Sequence, residues 1–364
     1  MQIKLDIRNV PKYNDRKGEV DAVVTIIDVA NYAGVSKSTV STVLNNGPHV
    51  KEETRRRVEE AVKALGYVCN NNARGLRKRE TKCLGVIIAV ESRDIHTYEF
   101  NFEAGQFGYA VTNGIPDGLA DSEYGLITEQ YCPGEMEGEL PSIVKNARVD
   151  GVFLIGSLFD EAFLEKLQGM NIPAVGVGTS YDTIDCVWPD VAKGMYLQVE
   201  ELVRNGIKQI AMINCPPEFA NAKMRVEGWK QAISELGEQL KNTWEIQCTT
   251  NTGEGGYLAT KALWESGVRP EGLVTAHEAI ALGAMRYLHE QGVRVPEDVS
   301  VTSYETSILG GYSIPPLTSV NIKKEEMGAI AAKMLLKRID DPDAPLQKHI
   351  MKPELVIRHS VAKK

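Results

Sequence analysis

Between Val24 and Asn45 apolar and polar positions alternate with the period of an α-helix, which predicts two short amphipathic helices joined by a tight turn. Thr25 offers a side-chain oxygen to the first helix start, and the carboxylate of Asp28, three residues on, suits the positive end of the helix dipole. Gly34 marks the turn, because a positive φ is cheap only without a Cβ. Ser36 caps the second helix, in which Val40, Val43 and Leu44 share one face while Lys37, Ser38, Ser41 and Thr42 point elsewhere. A third amphipathic helix is predicted over Glu52–Leu65, with Val58, Ala61, Val62 and Leu65 inward and Arg55, Arg56 and Arg57 outward.

From Cys83 onward the pattern changes. Short apolar runs predict strands at Leu84–Val90, Gly151–Ile155, Ala174–Val177, Gln209–Asn214, Leu273–Ala276 and Val299–Ser303. Helical patterns fall between them, near Glu161–Gln168, Val191–Arg204, Asn221–Leu236, Glu254–Glu265 and Glu278–Glu290. Such alternation implies parallel sheets covered by helices on both faces. Occurring twice, it implies two subdomains with a cleft at the carboxyl ends of the strands, where small molecules bind in such folds.

Charge sharpens this division. The 364 residues carry a net −8, which taken alone argues against a nucleic-acid partner. Residues 24–82, however, hold 11 Lys or Arg against 6 Asp or Glu, a local +5, and residues 1–23 carry +1, which leaves −14 on the rest. A basic segment on an acidic body confines contact with a polyanion to one end.

The length suits two to three domains. There is no uninterrupted apolar run of about 18 residues, so no membrane span is expected. Residues 1–23 mix charges and lack the apolar stretch of a secretion signal; they read as a disordered arm or as an extra DNA contact through Lys12, Arg16 and Lys17. None of Cys69, Cys83, Cys132, Cys186, Cys215 and Cys248 forms a C-x-x-C pair, so reduced thiols are expected, with no metal site and no disulfide framework. Motifs for catalysis are missing as well: there is no nucleophile elbow, no H-E-x-x-H and no P-loop, and Gly105-x-x-Gly108 is a poor match to a phosphate-binding turn. The expectation is a protein that is not an enzyme and uses no cofactor.

A short helix exposing small hydroxyls and one cation suits a DNA major groove, although an ordinary helical hairpin would read the same way. The segment beyond the third helix favours the groove. After Gly66-Tyr67 comes Asn71-Asn72-Ala73-Arg74-Gly75-Leu76-Arg77-Lys78-Arg79, a basic stretch with one isolated leucine. The whole run 24–82 resembles the DNA-binding headpiece and hinge helix of the lactose/galactose repressor family. The resemblance continues through Ala281-Leu282-Gly283-Ala284-Met285-Arg286, Val295-Pro296-Glu297-Asp298-Val299-Ser300-Val301 and Pro315-Pro316-Leu317-Thr318-Ser319-Val320, and Asp190, Gly194 and Leu202 fall at the family's spacing. It implies an all-α helix-turn-helix headpiece over 24–70, a hinge helix and linker over 71–82, and an α/β body over 83–364. The body would consist of two doubly wound parallel-sheet subdomains of periplasmic-binding-protein type. Between Glu91 and Pro116 the chain departs from the family, with extra residues, several glycines and Pro116 inside what should be a helix. The same body occurs in periplasmic sugar-binding proteins that have no DNA role; that rival needs an export signal and has no use for residues 24–82.

The resemblance implies DNA contacts from Thr25, Ser36, Lys37, Ser38, Thr39, Ser41, Thr42 and Asn45, and from Asn72, Ala73, Arg74 and Leu76 in the hinge. It places Arg225 with its guanidinium in the cleft, where five donors can bridge adjacent hydroxyls or a carboxylate. Asn221 shares its face one turn earlier. His277 and Glu278 stand where the family usually has Asn-Asp: His277 reads either as a ligand donor or as a structural histidine, and Glu278 as a cap on the following helix. Glu305 takes the place of a ligand-contacting aspartate, while Tyr304 or Phe107 would stack on the apolar face of a sugar ring. The function so implied is a cytoplasmic, nucleoid-associated repressor that binds a palindromic operator as a homodimer and responds to a small-molecule effector. A carbohydrate is the expected class, with purine-type ligands or a phosphoprotein partner as alternatives. The chain ends on Leu355–Ser360 and a short basic tail without heptads, which favours a dimer over a coiled-coil tetramer.

Overall fold

A computed structural model describes residues 24–44, 47–48, 50–67, 80–90, 98–136, 138–217 and 219–364. The expectations for residues 1–23, Asn45, Cys69 and the hinge positions Asn72, Ala73, Arg74 and Leu76 lie outside these residues. The chain divides into two compact units, 1–78 and 79–364.

Three helices form the first unit: α1 (Ile26–Ala33), α2 (Lys37–Leu44) and α3 (Glu52–Leu65). At the start of α1 the Thr25 amide donates to Asp28 Oδ2 at 2.8 Å and the Asp28 amide returns a bond to Thr25 Oγ1 at 3.4 Å, a reciprocal cap. Gly34, at φ 61°, ends the helix. Val29, Ala30, Ala33, Val40, Val43, Val58 and Ala61 make the small core. The three arginines of α3 do not all face outward. Arg57 donates to the Ala33 and Gly34 carbonyls, and Arg55 to those of Val43 at 3.4 Å and Gly47 at 3.3 Å. Carbonyls at a helix C-terminus have no intrahelical donor and carry the negative end of the dipole, so two guanidiniums tie the ends of α1 and α2 to α3. Arg56 lies on the surface 3.6 Å from Glu60, and Arg57 is exposed too, with its guanidinium folded back onto those carbonyls.

In the second unit β1 (Cys83–Ala89), β2 (Gly125–Tyr131), β3 (Gly151–Ile155), β4 (Ala174–Val177), β5 (Asp185–Pro189) and β11 (Lys348–Met351) form a parallel sheet in the order β11-β5-β4-β3-β1-β2. A second sheet is built from β6 (Gln209–Asn214), β7 (Asn242–Gln247), β8 (Gly272–Thr275), β9 (Ser300–Ser303), β10 (Thr318–Asn321) and β12 (Glu354–Val356). Its order is β12-β10-β9-β8-β6-β7, parallel except for β12 against β10. The connecting helices are α4 (Tyr98–Leu119), the short α5 (Pro133–Met136) and α6 (Ser142–Lys145), α7 (Glu161–Gly169), α8 (Val191–Arg204) and α9 (Ala220–Leu236). They continue with α10 (Gly253–Glu265), α11 (Glu278–Glu290), α12 (Ile308–Tyr312) and α13 (Lys324–Asp340).

Central strands and helices fall where the periodicity puts them, within a residue or so. The strands that escaped prediction include β2, β7 and β11, which lie at sheet edges, where one side has no neighbour and half-exposed polar residues blur the apolar run. Glycines and Pro116 do not interrupt α4, which is one helix of 22 residues. The glycines serve packing: a Cβ on Gly114 would lie 1.8 Å from the Glu325 carbonyl oxygen, and one on Gly328 2.0 Å from that of Val111. With nothing there, α4 and α13 approach backbone to backbone.

The chain passes between the subdomains three times, from β5 to α8, from β10 to α13 and from β11 to β12. Thus α13 and β11, late in sequence, complete the first subdomain. Asp185, fully buried on β5, holds Arg338 of α13 at 2.8 Å and the Gln347 amide before β11 at 2.6 Å, so that its charge is paired.

Candidate functional site

On the headpiece, Lys37 and Ser38 are exposed while Thr39, Ser41 and Thr42 are half-buried against the rest of the unit. Ser36 Oγ accepts from the Thr39 amide at 3.1 Å and lies 2.7 Å from Ser38 Oγ, so the start of α2 presents clustered hydroxyls beside one ammonium. Thr42 spends its hydroxyl on the Ser38 carbonyl at 2.9 Å, and its methyl lies beside Gly47.

Within the second unit, a cavity of about 140 Å³ lies at the carboxyl ends of the strands of both sheets. An apolar cavity of about 150 Å³ admits benzene, so this one has room for one ring-sized molecule. Phe107, Asn221, Arg225, His277, Tyr304 and Glu305, the six residues read from the sequence as effector contacts, all line it. The wall from the first subdomain is made of Phe107 on α4, Gly156-Ser157-Leu158 after β3, Gly178 after β4 and Pro189. Gly178 sits at φ 95°, and a Cβ there would come 2.7 Å from Phe107 Cζ, so the backbone turn and the phenyl ring depend on each other.

The facing wall carries the polar groups. Arg225 on α9 is only 8% exposed; its Nη1 donates to Cys215 Sγ at 3.0 Å, its Cζ lies 5.2 Å from the Tyr304 ring centroid, and its Nε has no hydrogen-bond partner. Tyr304 Oη and Asn251 Oδ1 also lack partners, and burial pushes the Tyr304 hydroxyl well above its ordinary pKa. Asn221 Nδ2 reaches the Gly178 carbonyl of the opposite wall at 3.4 Å.

Glu305 departs from its expected role. Rather than standing free for ligand hydroxyls, its Oε2 holds His277 Nε2 at 3.0 Å and its Oε1 holds Lys324 Nζ at 2.8 Å. Burial raises the Glu305 pKa, but attraction to Lys324 and then to His277 outweighs it and holds the carboxyl well below the usual range. Its backbone is strained as well, with φ at 74°, a feature that clusters at binding sites. Glu278 does not cap its own helix, which starts from His277 without a side-chain cap; it accepts from the Ser307 amide at 3.0 Å and from the Ser307 hydroxyl, fixing the loop before α12.

Phe219, Asn251 and Lys324 escaped the sequence reading. For Asn251 a signal existed: Thr249-Thr250-Asn251-Thr252 precedes α10, and Thr252 is that helix's cap. For Lys324 none did, because its neighbour across the cleft edge is 19 residues away.

Among the described residues no helix is long and apolar enough to cross a membrane. Residues 25–70 match the family described as bacterial regulatory proteins, lacI family, and residues 199–361 a periplasmic binding protein-like domain. The HTH-type transcriptional repressor PurR of Mannheimia succiniciproducens is 31% identical over 349 residues, covering 94% of this chain and 99% of that protein. A lac repressor dimer bound to operator and the anti-inducer ONPF superposes with a TM-score of 0.77 at 27% identity, over 94% of this chain and 100% of that one. The CelR–cellobiose complex is similar too, with a TM-score of 0.66 at 25% identity, over 93% and 99%. With a headpiece matched at one end and repressors matched over nearly its whole length, the chain is a DNA-binding transcriptional repressor and belongs to the lacI family of bacterial regulatory proteins.

Proposed function

We propose that this repressor binds a palindromic operator as a homodimer in the cytoplasm, on the nucleoid, and responds to a carbohydrate effector held in the cavity of its body. The observation that carries the effector reading is the cavity wall itself, where Arg225 Nε, Tyr304 Oη and Asn251 Oδ1 are buried without partners beside a space of ring size. Buried polar groups are normally satisfied, and a polyhydroxylated ring presents the donors and acceptors they need while Phe107 would cover its apolar face. Two-fold symmetry would put the Lys37–Leu44 helices into successive major grooves, with Lys37, Ser38 and Thr42 toward base edges. The hinge residues 71–82 would order in the minor groove, with Leu76 as a wedge at the operator centre. An effector shifts this equilibrium by binding one angle between the subdomains better than another.

Two phenyl groups on the cavity, Phe107 and Phe219, favour one other reading, a planar purine-type ligand. The test is a thermal-shift screen of the full chain against sugars and nucleobases, followed by binding to an operator selected from random DNA. A ligand at 100 times its dissociation constant raises stability by about 2.7 kcal/mol. A sugar that shifts melting and alters operator affinity supports the proposal; a nucleobase doing so favours the purine; selection of a non-palindromic site removes the symmetric dimer. Leu76→Ala is expected to reduce operator affinity and DNA bending together.

A further inference from the structure

The chain leaves the body through a strained and closely held joint. Lys82, the residue before β1, sits at φ 53°, in the left-handed region that residues with a Cβ rarely adopt. Just upstream, between residues 78 and 79, the two compact units divide. Strands β2 and β3, which flank β1, both take hold of the joint. From β2 the Gly125 amide donates to the Lys82 carbonyl at 2.9 Å. Just before β3, the Asp150 carboxylate accepts the Thr81 amide at 2.7 Å, the Thr81 hydroxyl at 2.8 Å and the Lys82 amide at 2.9 Å. Asp150 is itself tied down, because its amide donates to the Cys83 carbonyl at 2.8 Å. Hydrogen bonds to a charged acceptor are stronger than neutral ones, and a strained backbone persists only where its surroundings over-determine it. Strand β1 already pairs with β2 from Cys83 to Ala89 and with β3 from Leu84 to Ile88, so the clamp adds little to the sheet. What it fixes is the course of the two residues that precede the strand.

We propose that Asp150 and Lys82 are positioning residues for operator binding, whose joint sets the direction in which the chain leaves the body for the headpiece. The proposal rests on the homodimer reading and deepens it. Each headpiece is joined to its body through residues 68–79, which enter the body at this joint. In a dimer, two headpieces must reach two half-sites at once. Once the first is bound, the second binds at an effective concentration that a freely turning joint lowers. Tight binding to the paired site is then lost without the loss of a single DNA contact. Asp150 acts through Thr81 and Lys82, and Lys82 acts through its backbone conformation and not through its charge.

The experiment compares Lys82→Asn with Lys82→Gly in the full chain. Both remove the same charge, but asparagine tolerates the left-handed region while keeping its restraint, whereas glycine turns freely. The probes are a duplex selected from random DNA by the parent protein and a duplex carrying one of its half-sites, with melting temperature measured alongside. Lys82→Gly is expected to bind the full duplex at least about fivefold more weakly than Lys82→Asn, to match it within about twofold on the half-site, and to melt no lower. Asp150→Asn keeps one oxygen for Thr81 and should fall between the parent and Asp150→Ala on the full duplex. Equal affinity of Lys82→Asn and Lys82→Gly for the full duplex overturns the proposal. So does a loss in Lys82→Gly as large on the half-site as on the full duplex, or one matched by a fall in its melting temperature. Parent protein that binds the half-site as tightly as the full duplex would remove the homodimer reading and this proposal together, whereas the preceding results overturn the proposal alone.

Discussion

The two walls of the cavity differ in kind. The first subdomain contributes Phe107, the turns at Gly156–Leu158 and Gly178, and Pro189, whereas the second adds to Phe219 and Ile322 a guanidinium, an ion-paired imidazole and carboxylate, two amides and a phenol. The charged side chains and side-chain amides of the cavity therefore all stand on the second wall, while the first acts by shape. A polar wall facing a mainly apolar one holds its electrostatic contacts in a low-dielectric space, where they are stronger than in water. This division also separates what mutations on either side should do.

The largest effect is expected from Glu305→Gln, which leaves Lys324 buried without its counter-charge and should cost about 3–5 kcal/mol in urea unfolding. If Lys324→Met added to Glu305→Gln restores none of that loss, the pair is not the source of the cost. The same residue sets a pH dependence. Its folded pKa lies below the unfolded value of about 4.3, so its contribution is present above that pH and fades as pH falls through the folded pKa. Parent protein should lose stability more steeply than Glu305→Gln as pH falls below about 4, and parallel acid titrations would contradict the assignment.

On the shape-selecting wall, Gly178→Val should cost about 1–3 kcal/mol from backbone strain, displace Phe107 and weaken ligand binding with every polar group intact. Unchanged ligand affinity in that variant, measured by calorimetry, would mean that the phenyl ring does not shape the site. The smallest effect belongs to Asn221→Ala. Its long bond to Gly178 is worth about 0.5–1.5 kcal/mol or less, so stability should barely move while ligand affinity falls by up to about tenfold. A loss confined to stability would place Asn221 outside the ligand's reach.

How far the molecule was legible from its residues varies with the range of the interactions involved. Thr25, Asp28 and Gly34 act on neighbours within one helical turn, so the capping box and turn of the headpiece are readable from spacing. Helices α8 and α11 run as their periodicity says, over Val191–Arg204 and Glu278–Glu290. Arg55 was misread because a charge on an amphipathic helix looks solvent-facing until the helix ends it must satisfy are in place.

What the sequence determined by itself is the local layer of this protein: capped headpiece helices, alternating strand and helix in the body, and a basic segment on an acidic chain. The tertiary structure decided the rest. Only the three crossings bring the start of α13 beside Glu305, turning an apparently free carboxylate into one closed off by Lys324 and His277. Only the fold buries Arg225 against the Cys215 thiol and the Tyr304 ring. The physical reason is that capping and amphipathic periodicity depend on residues a few positions apart, whereas the pairing of buried charges depends on which distant segments share one low-dielectric space.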